Sequence, residues 1–144
     1  WDEAASPEGP VSVLVSVPDR RVHVLRNGVR IGSAPLDVAA GFEFHGAVVF
    51  VMMQGTDDAA SPLDPTQKRH RWATYPVRGD AAATLSMDDL AARLKVPDEF
   101  ARHVYPILTP GASILVTDLP AVRTSAAAAD AQPVLQSDAG ARRE

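Results

Sequence analysis

The sequence predicts a mainly β domain with one short helical segment at about residues 86–106, and three observations carry that prediction. Apolar residues alternate with polar ones from Val11 to Val17 and again around Val22 to Ile31, the period-two repeat of half-buried strands. Asn27-Gly28 stands between two such runs; two adjacent residues that tolerate positive φ are the strongest short-range sign of a two-residue type I′ hairpin. The apolar period lengthens at Ser86, after which Met87, Leu90 and Leu94 fall at i, i+3 and i+7, the spacing of one helix face.

Taken in order, residues 1–10 (WDEAASPEGP) carry small, acidic, Pro and Gly residues without a period and read as a flexible lead-in. Val11 to Val17 is a strand with its valines on one face. Pro18 to Arg21 supplies a turn, Val22 to Arg26 a second strand, and Val29 to Ser33 the returning third, so residues 11–33 predict a three-stranded meander. Gly41 to Met53 (GFEFHGAVVFVMM) first alternates and then becomes apolar on both faces, which predicts a long central strand or a bent pair. Gly46 inside it marks a bulge or bend. Gln54 to Lys68 is polar and reads as a loop, and Arg71 to Val77 as the partner strand, with Pro76 placing its end at a sheet edge.

Ser86 and Asp89 have the spacing of a capping box, with Asp in place of the usual Glu. Pro97 at a first helical position, followed by Asp98 and Glu99, opens a second helical turn or two whose apolar stripe is Phe100, Val104 and Ile107. Leu108 to Asp118 (LTPGASILVTD) is a Pro-Gly turn running into a strand centred on Ile114 to Val116. Residues 120–144 shift to Ala, Ser, Asp and Gln, with 133–136 (PVLQ) the one place there for a short strand. The organisation is thus a lead-in at 1–10, a domain at 11–119 and an Ala/Ser-rich tail at 120–144.

The 144 residues suit one domain with one core. A net charge of −4 argues against a general nucleic-acid binder, which needs a basic surface to displace counterions from phosphates. The absence of cysteine excludes disulfides, thiolate metal sites and a cysteine nucleophile within this chain. No apolar run reaches the ~20 residues of a membrane helix. The first residue is Trp1, which raises two alternative expectations, a processed protein or an excised piece of a longer one in which a neighbouring domain can stand beside it.

Few side chains carry chemistry. The histidines at 23, 45, 70 and 103 have no metal-ligand spacing, so no metal and no cofactor are predicted. His45 is the most notable of them, since it precedes Gly46 in an aromatic stretch; an ordinary, partly buried histidine satisfied by one hydrogen bond explains it better. Gly111 to Leu115 (GASIL) has half of a nucleophile elbow, but Leu115 stands where the second Gly belongs and a strand follows instead of a helix, so Ser113 is not read as a nucleophile. Asp57, Asp58 and Asp64 lack the order of a calcium loop. Lys68, Arg69, His70 and Arg71 form a basic run beside Trp72, and Arg20, Arg21, Arg26 and Arg30 add charge to the meander. Such groups can hold a carboxylate, a phosphate or an anionic polymer; solvated edge-strand charge is the plainer reading. His45 and residues 68–72 are therefore the candidate binding residues, and no catalytic residue is assigned.

The wording of two stretches goes further. Val11 to Leu36 (VSVLVSVPDRRVHVLRNGVRIGSAPL) resembles the opening of the L,D-transpeptidase (YkuD) catalytic domain, and Val96 to Asp118 (VPDEFARHVYPILTPGASILVTD) is similar to that family's closing part. The resemblance implies a β-sandwich-like fold and a link to peptidoglycan, whose stem peptides the family joins through a cysteine in a Ser-His-Gly-Cys motif. Where that motif would fall, this chain reads MDDLAARLKVPDEF, and the Thr-Pro-x-Gly stretch expected after the hairpin is replaced by DVAAGFEF. The thiolate and the histidine that activates it are both missing. The resemblance therefore implies a non-catalytic, periplasmic or envelope domain whose partner is peptidoglycan or a wall enzyme. Two alternatives stand beside it: an active enzyme whose nucleophile is not cysteine or whose catalytic cysteine lies outside this chain, and a structural assembly subunit pairing through a strand edge.

Overall fold

The computed structural model describes residues 1–61, 64–79 and 86–121. The chain is mainly β. Among the described residues eight strands, β1 (Val11–Ser16), β2 (Arg21–Arg26), β3 (Val29–Pro35), β4 (Asp37–Val38), β5 (Ala47–Ala60), β6 (Lys68–Arg78), β7 (Leu94–Lys95) and β8 (Ser113–Thr117), accompany two short helices, α1 (Met87–Arg93) and α2 (Asp98–Val104). Six strands form one mixed sheet in the order β3-β2-β1-β8-β5-β6, and β4 pairs with β7 in a two-stranded ribbon.

The meander forms as its alternation predicts. Val13 pairs with Val24 and Val15 with Val22 across β1 and β2, so the valines of both strands share the buried face. Asn27 and Gly28 take φ of 53° and 80°, as a type I′ turn requires. A register shift near the hairpin places Val24 opposite Gly32 but Leu25 opposite Arg30; the extra residue, Ile31, is buried in the core. At the sheet centre β1 and β8 run parallel, Val13 against Ile114 and Val15 against Val116. The chain must cross the sheet to join them, and the ribbon and helices lie in that crossover.

The central strand departs from expectation at both ends. Residues 42–46 are not strand: Gly41 and Gly46 take φ of 80° and 129°, outside the extended region, and β5 starts only at Ala47. Phe44 is nonetheless buried and Phe42 half-buried, with the Arg93 guanidinium 5.6 Å from the Phe42 ring centre. At the other end the polar loop expected over Gln54 to Lys68 is largely a β-ribbon. Pairing with β8 stops at Val51, while β5 and β6 continue together as far as Ala60 and Lys68. Beyond the sheet the ribbon is held by backbone pairing; residues 54–60 are mostly exposed and the half-buried contacts come from Arg69 and His70, so its sequence needs no apolar alternation. β6 is an edge strand, where Pro76 costs no ladder bond.

The helical segment is two helices. The Ser86 hydroxyl accepts from the Asp89 N–H at 3.1 Å while the Asp89 carboxylate accepts from the Ser86 N–H at 3.1 Å, completing the capping box. Pro97 is the N-cap of α2 rather than its first residue, and a 3-10 turn over Tyr105–Ile107 closes the segment. Leu90, Phe100, Val104 and Leu108 pack toward Val24, Val48, Phe50 and Val116 of the sheet in one apolar core.

The lead-in has tertiary contacts of its own. Asp2 N–H donates to the Ile31 carbonyl at 2.6 Å, and the Trp1 ring meets Phe100 edge-on and stacks on His103. The possible strand at 133–136 lies outside the described residues. Among the described residues no helix is long and apolar enough to cross a membrane.

Candidate functional site

The basic run does not form a uniform cationic patch. Arg69, on β6, holds Asp57 of β5 in a two-pronged contact, Nη2 to Oδ2 at 2.6 Å and Nε to Oδ2 at 3.0 Å, and also pairs with Asp88 in the first turn of α1. It therefore fastens the β-ribbon to the helix. These hydrogen bonds hold the Asp57 carboxyl below the usual carboxylate range and raise the Arg69 pKa. Lys68 reaches Asp58 at 3.9 Å with both side chains exposed, a pair of small energetic consequence. Arg71 is exposed.

His70 stacks on Tyr105, the ring centres 4.6 Å apart, and the Tyr105 hydroxyl donates to the Lys68 carbonyl at 2.6 Å. Its Nε2 is buried without a hydrogen-bond partner, and burial lowers its pKa below 6.5. A neutral imidazole is the consequence at neutral pH. Trp72 is half-buried against the core, opposite Met52. His45 is exposed two residues before β5, its Nε2 3.4 Å from the Glu43 carboxylate. Ala47 pairs with Arg78 whereas Thr56 pairs with His70, so roughly nine residues of strand, ~30 Å at 3.3 Å each, separate His45 from the basic run. The structure gathers 68–72 and leaves His45 apart.

What gathers around that run is a cavity of ≈ 290 Å³ between the inner face of the sheet and the α1–β7–α2 layer. Its walls are apolar, from Val13, Phe50 and Ile114 on the sheet to Leu90, Leu94 and Phe100 on the layer above. Arg69, His70, Lys95 and Asp98 supply polar lining, with Lys95 and Asp98 exposed at its solvent side. Sequence reasoning had marked Arg69, His70 and Trp72, all three in the lining, but not Lys95 or Asp98. The stripe Met87, Leu90, Leu94 was legible as an apolar helix face; no pattern says whether such a face meets packed side chains or a void. The size is near the lower end for small-molecule sites, and apolar walls with a few polar groups are their usual composition.

A second cluster sits at the far end of the sheet. The Asp118 carboxylate accepts the Gly46 N–H at 2.9 Å and pairs with the Arg78 guanidinium, while Asp118 N–H donates to the Gly46 carbonyl at 3.0 Å. These contacts depress the Asp118 pKa and raise that of Arg78. The cluster joins the ends of β5, β6 and β8 and uses up its charges in doing so. Ser113 lies on β8 opposite Ser12 and Val51, in a regular strand and not on a turn. Among the described residues no group of three His, Asp or Glu side chains could hold a metal ion.

No family pattern and no curated protein matches the sequence. Among solved structures the chain is similar to the crystal structure of L,D-transpeptidase 1 from Mycobacterium tuberculosis, with a TM-score of 0.44 and 16% sequence identity, over 74% of this chain and 60% of that one.

Proposed function

We propose that this chain is a non-catalytic L,D-transpeptidase-like domain of the bacterial cell envelope, a binding or scaffolding module for peptidoglycan or a wall enzyme. The observation that supports it is how the resembling stretches fold. Val11 to Leu36 and Val96 to Asp118, distant in sequence, lie side by side as β1 and β8, and their distinctive residues have structural work. Asn27-Gly28 makes the hairpin. Gly111, with φ of 96°, donates to the Met52 carbonyl at 2.9 Å, and Asp118 ties down Gly46. The stretch standing where the nucleophile motif would fall builds α1, β7 and the start of α2, and Met87, Leu90, Leu94 and Phe100 from it wall a cavity. The scaffold wording is kept, and apolar side chains occupy the place of the chemistry.

Co-sedimentation of the full chain with purified peptidoglycan sacculi tests the binding role. Pelleting that persists at physiological salt is expected. A chain that pellets only at low salt would be held by unspecific charge, and one that stays in the supernatant at both would overturn wall binding.

A further inference from the structure

The lead-in is seated on the domain through one aromatic side chain. The Trp1 ring lies between β3 and α2, edge-on to Phe100 with ring centres 5.6 Å apart. It also stacks on His103, the centres 5.2 Å apart and the planes 17° from parallel. Gly32 of β3 makes room for the indole: a Cβ there would collide with it, so the ring lies directly against the strand backbone. β3 is an edge strand of the sheet, and the Asp2 N–H donates to its Ile31 carbonyl at 2.6 Å. The indole N–H donates to the Glu3 carboxylate at 3.0 Å. An aromatic seat floored by glycine, beside an edge-strand carbonyl that takes a backbone N–H, has the parts of a site for an extended peptide with an aromatic anchor.

The seat is open on one side. Trp1 keeps 39% of its surface exposed, and Glu3 and His103 are exposed beside it, so the ring can leave and another can enter without unpairing the sheet. We propose that Gly32, Phe100 and His103 form a binding site for an aromatic residue of a partner protein, with Trp1 as its self-ligand. The occupant matches what Trp1 to Glu3 present: an indole-type ring, a backbone N–H next to it for the Ile31 carbonyl, and a carboxylate two residues on for the ring N–H. The lead-in is thus an autoinhibitory contact. Tethered to β1, Trp1 stands at an effective concentration on the order of millimolar, which outcompetes a free peptide that holds on by a single anchor. This proposal goes beyond wall binding and does not rest on it, and its test contains no sacculi, so the two fail separately.

The test is an NMR titration of the full chain carrying Trp1→Ala, which empties the seat, with the end-blocked hexapeptide WDEAAS, the sequence of residues 1–6. Saturable amide shifts centred on Gly32, Phe100 and His103 are expected, with an apparent affinity at least about tenfold tighter than in the parent chain, where Trp1 competes. The peptide ADEAAS, which lacks the ring, is expected to bind at least about tenfold more weakly than WDEAAS. Adding Gly32→Ala to the Trp1→Ala chain puts a methyl group where the indole sits, and is expected to weaken WDEAAS by about the same factor. If Trp1→Ala does not fold, as judged by circular dichroism, Trp1→Leu, which fills the seat only in part, decides by the same comparisons. Absence of saturable shifts, or shifts centred away from these three residues, would overturn the proposal. So would equal binding by ADEAAS, by the Gly32→Ala chain or by the parent.

Discussion

The imidazole of His70, stacked on Tyr105 with Nε2 facing no partner, makes the stability of the domain depend on pH in a direction that can be worked out. Burial lowers its folded-state pKa below 6.5, so as pH falls below about 6.5 the unfolded chain takes up a proton before the folded one does. The stability contributed by the neutral ring is complete above that value and declines as pH falls through the window down to the folded pKa. His23 acts in the same direction, its pKa lowered by burial and by Arg30 and Arg21. Thermal unfolding at pH 7 and pH 5 should show a smaller drop in Tm for His70→Phe than for the parent chain; an unchanged drop would mean that His23 and the carboxylates carry all of it. At the opposite end of the sheet, Gly46 has φ of 129°, and a Cβ there would collide with the Arg78 carbonyl oxygen. Gly46→Ala should therefore destabilise the chain by about 2–3 kcal/mol or more, read as a shift of the urea midpoint with the m-value preserved. A change below about 0.5 kcal/mol would show that the β5–β6 junction yields easily.

Among the elements, the short helix α1 is held by a local cap as well as by the packing of Leu90 and the Arg69–Asp88 pair. It has seven residues, too few to persist alone, and its N-terminus is held by the Ser86–Asp89 box. Ser86→Ala should cost about 1 kcal/mol and should speed hydrogen exchange in α1 more than in β1 or β8. Uniform acceleration would instead indicate that α1 unfolds only with the whole domain. Elements of this kind were legible because local chemistry dictates them: the capping box, the I′ turn at Asn27-Gly28 and the valine alternation of β1 and β2 each need only neighbouring residues. The misread elements depend on distant ones. Phe42 and Phe44 alternate like a strand, but positive φ at Gly41 and Gly46 turns the segment into a bend whose rings still reach the core. The polar residues 54–60 read as loop because they are mostly exposed in a ribbon that leaves the sheet. The site was partly legible for the same reason. Arg69, His70 and Trp72 stand out as a basic-aromatic run, whereas their assembly with Leu90, Lys95 and Phe100 around one cavity follows from tertiary packing alone.

At the scale of the whole molecule, one sheet supports two separate features. Its centre is the parallel pair β1 and β8, built from the stretches that resemble the family. One end carries the Asp118–Gly46–Arg78 tie, and toward the other the β5–β6 ribbon is fastened by Arg69 to α1 over the cavity. The proposed function, a non-catalytic domain whose scaffold resembles that of the transpeptidases, belongs to this scale. Its most direct test is the muropeptide profile, by liquid chromatography and mass spectrometry, of sacculi incubated with the full chain. An unchanged profile, with no new cross-links and no trimmed stem peptides, is the predicted result. New cross-linked or shortened stem peptides that vanish when the protein is heat-inactivated would contradict it, and would require a nucleophile that is not a cysteine.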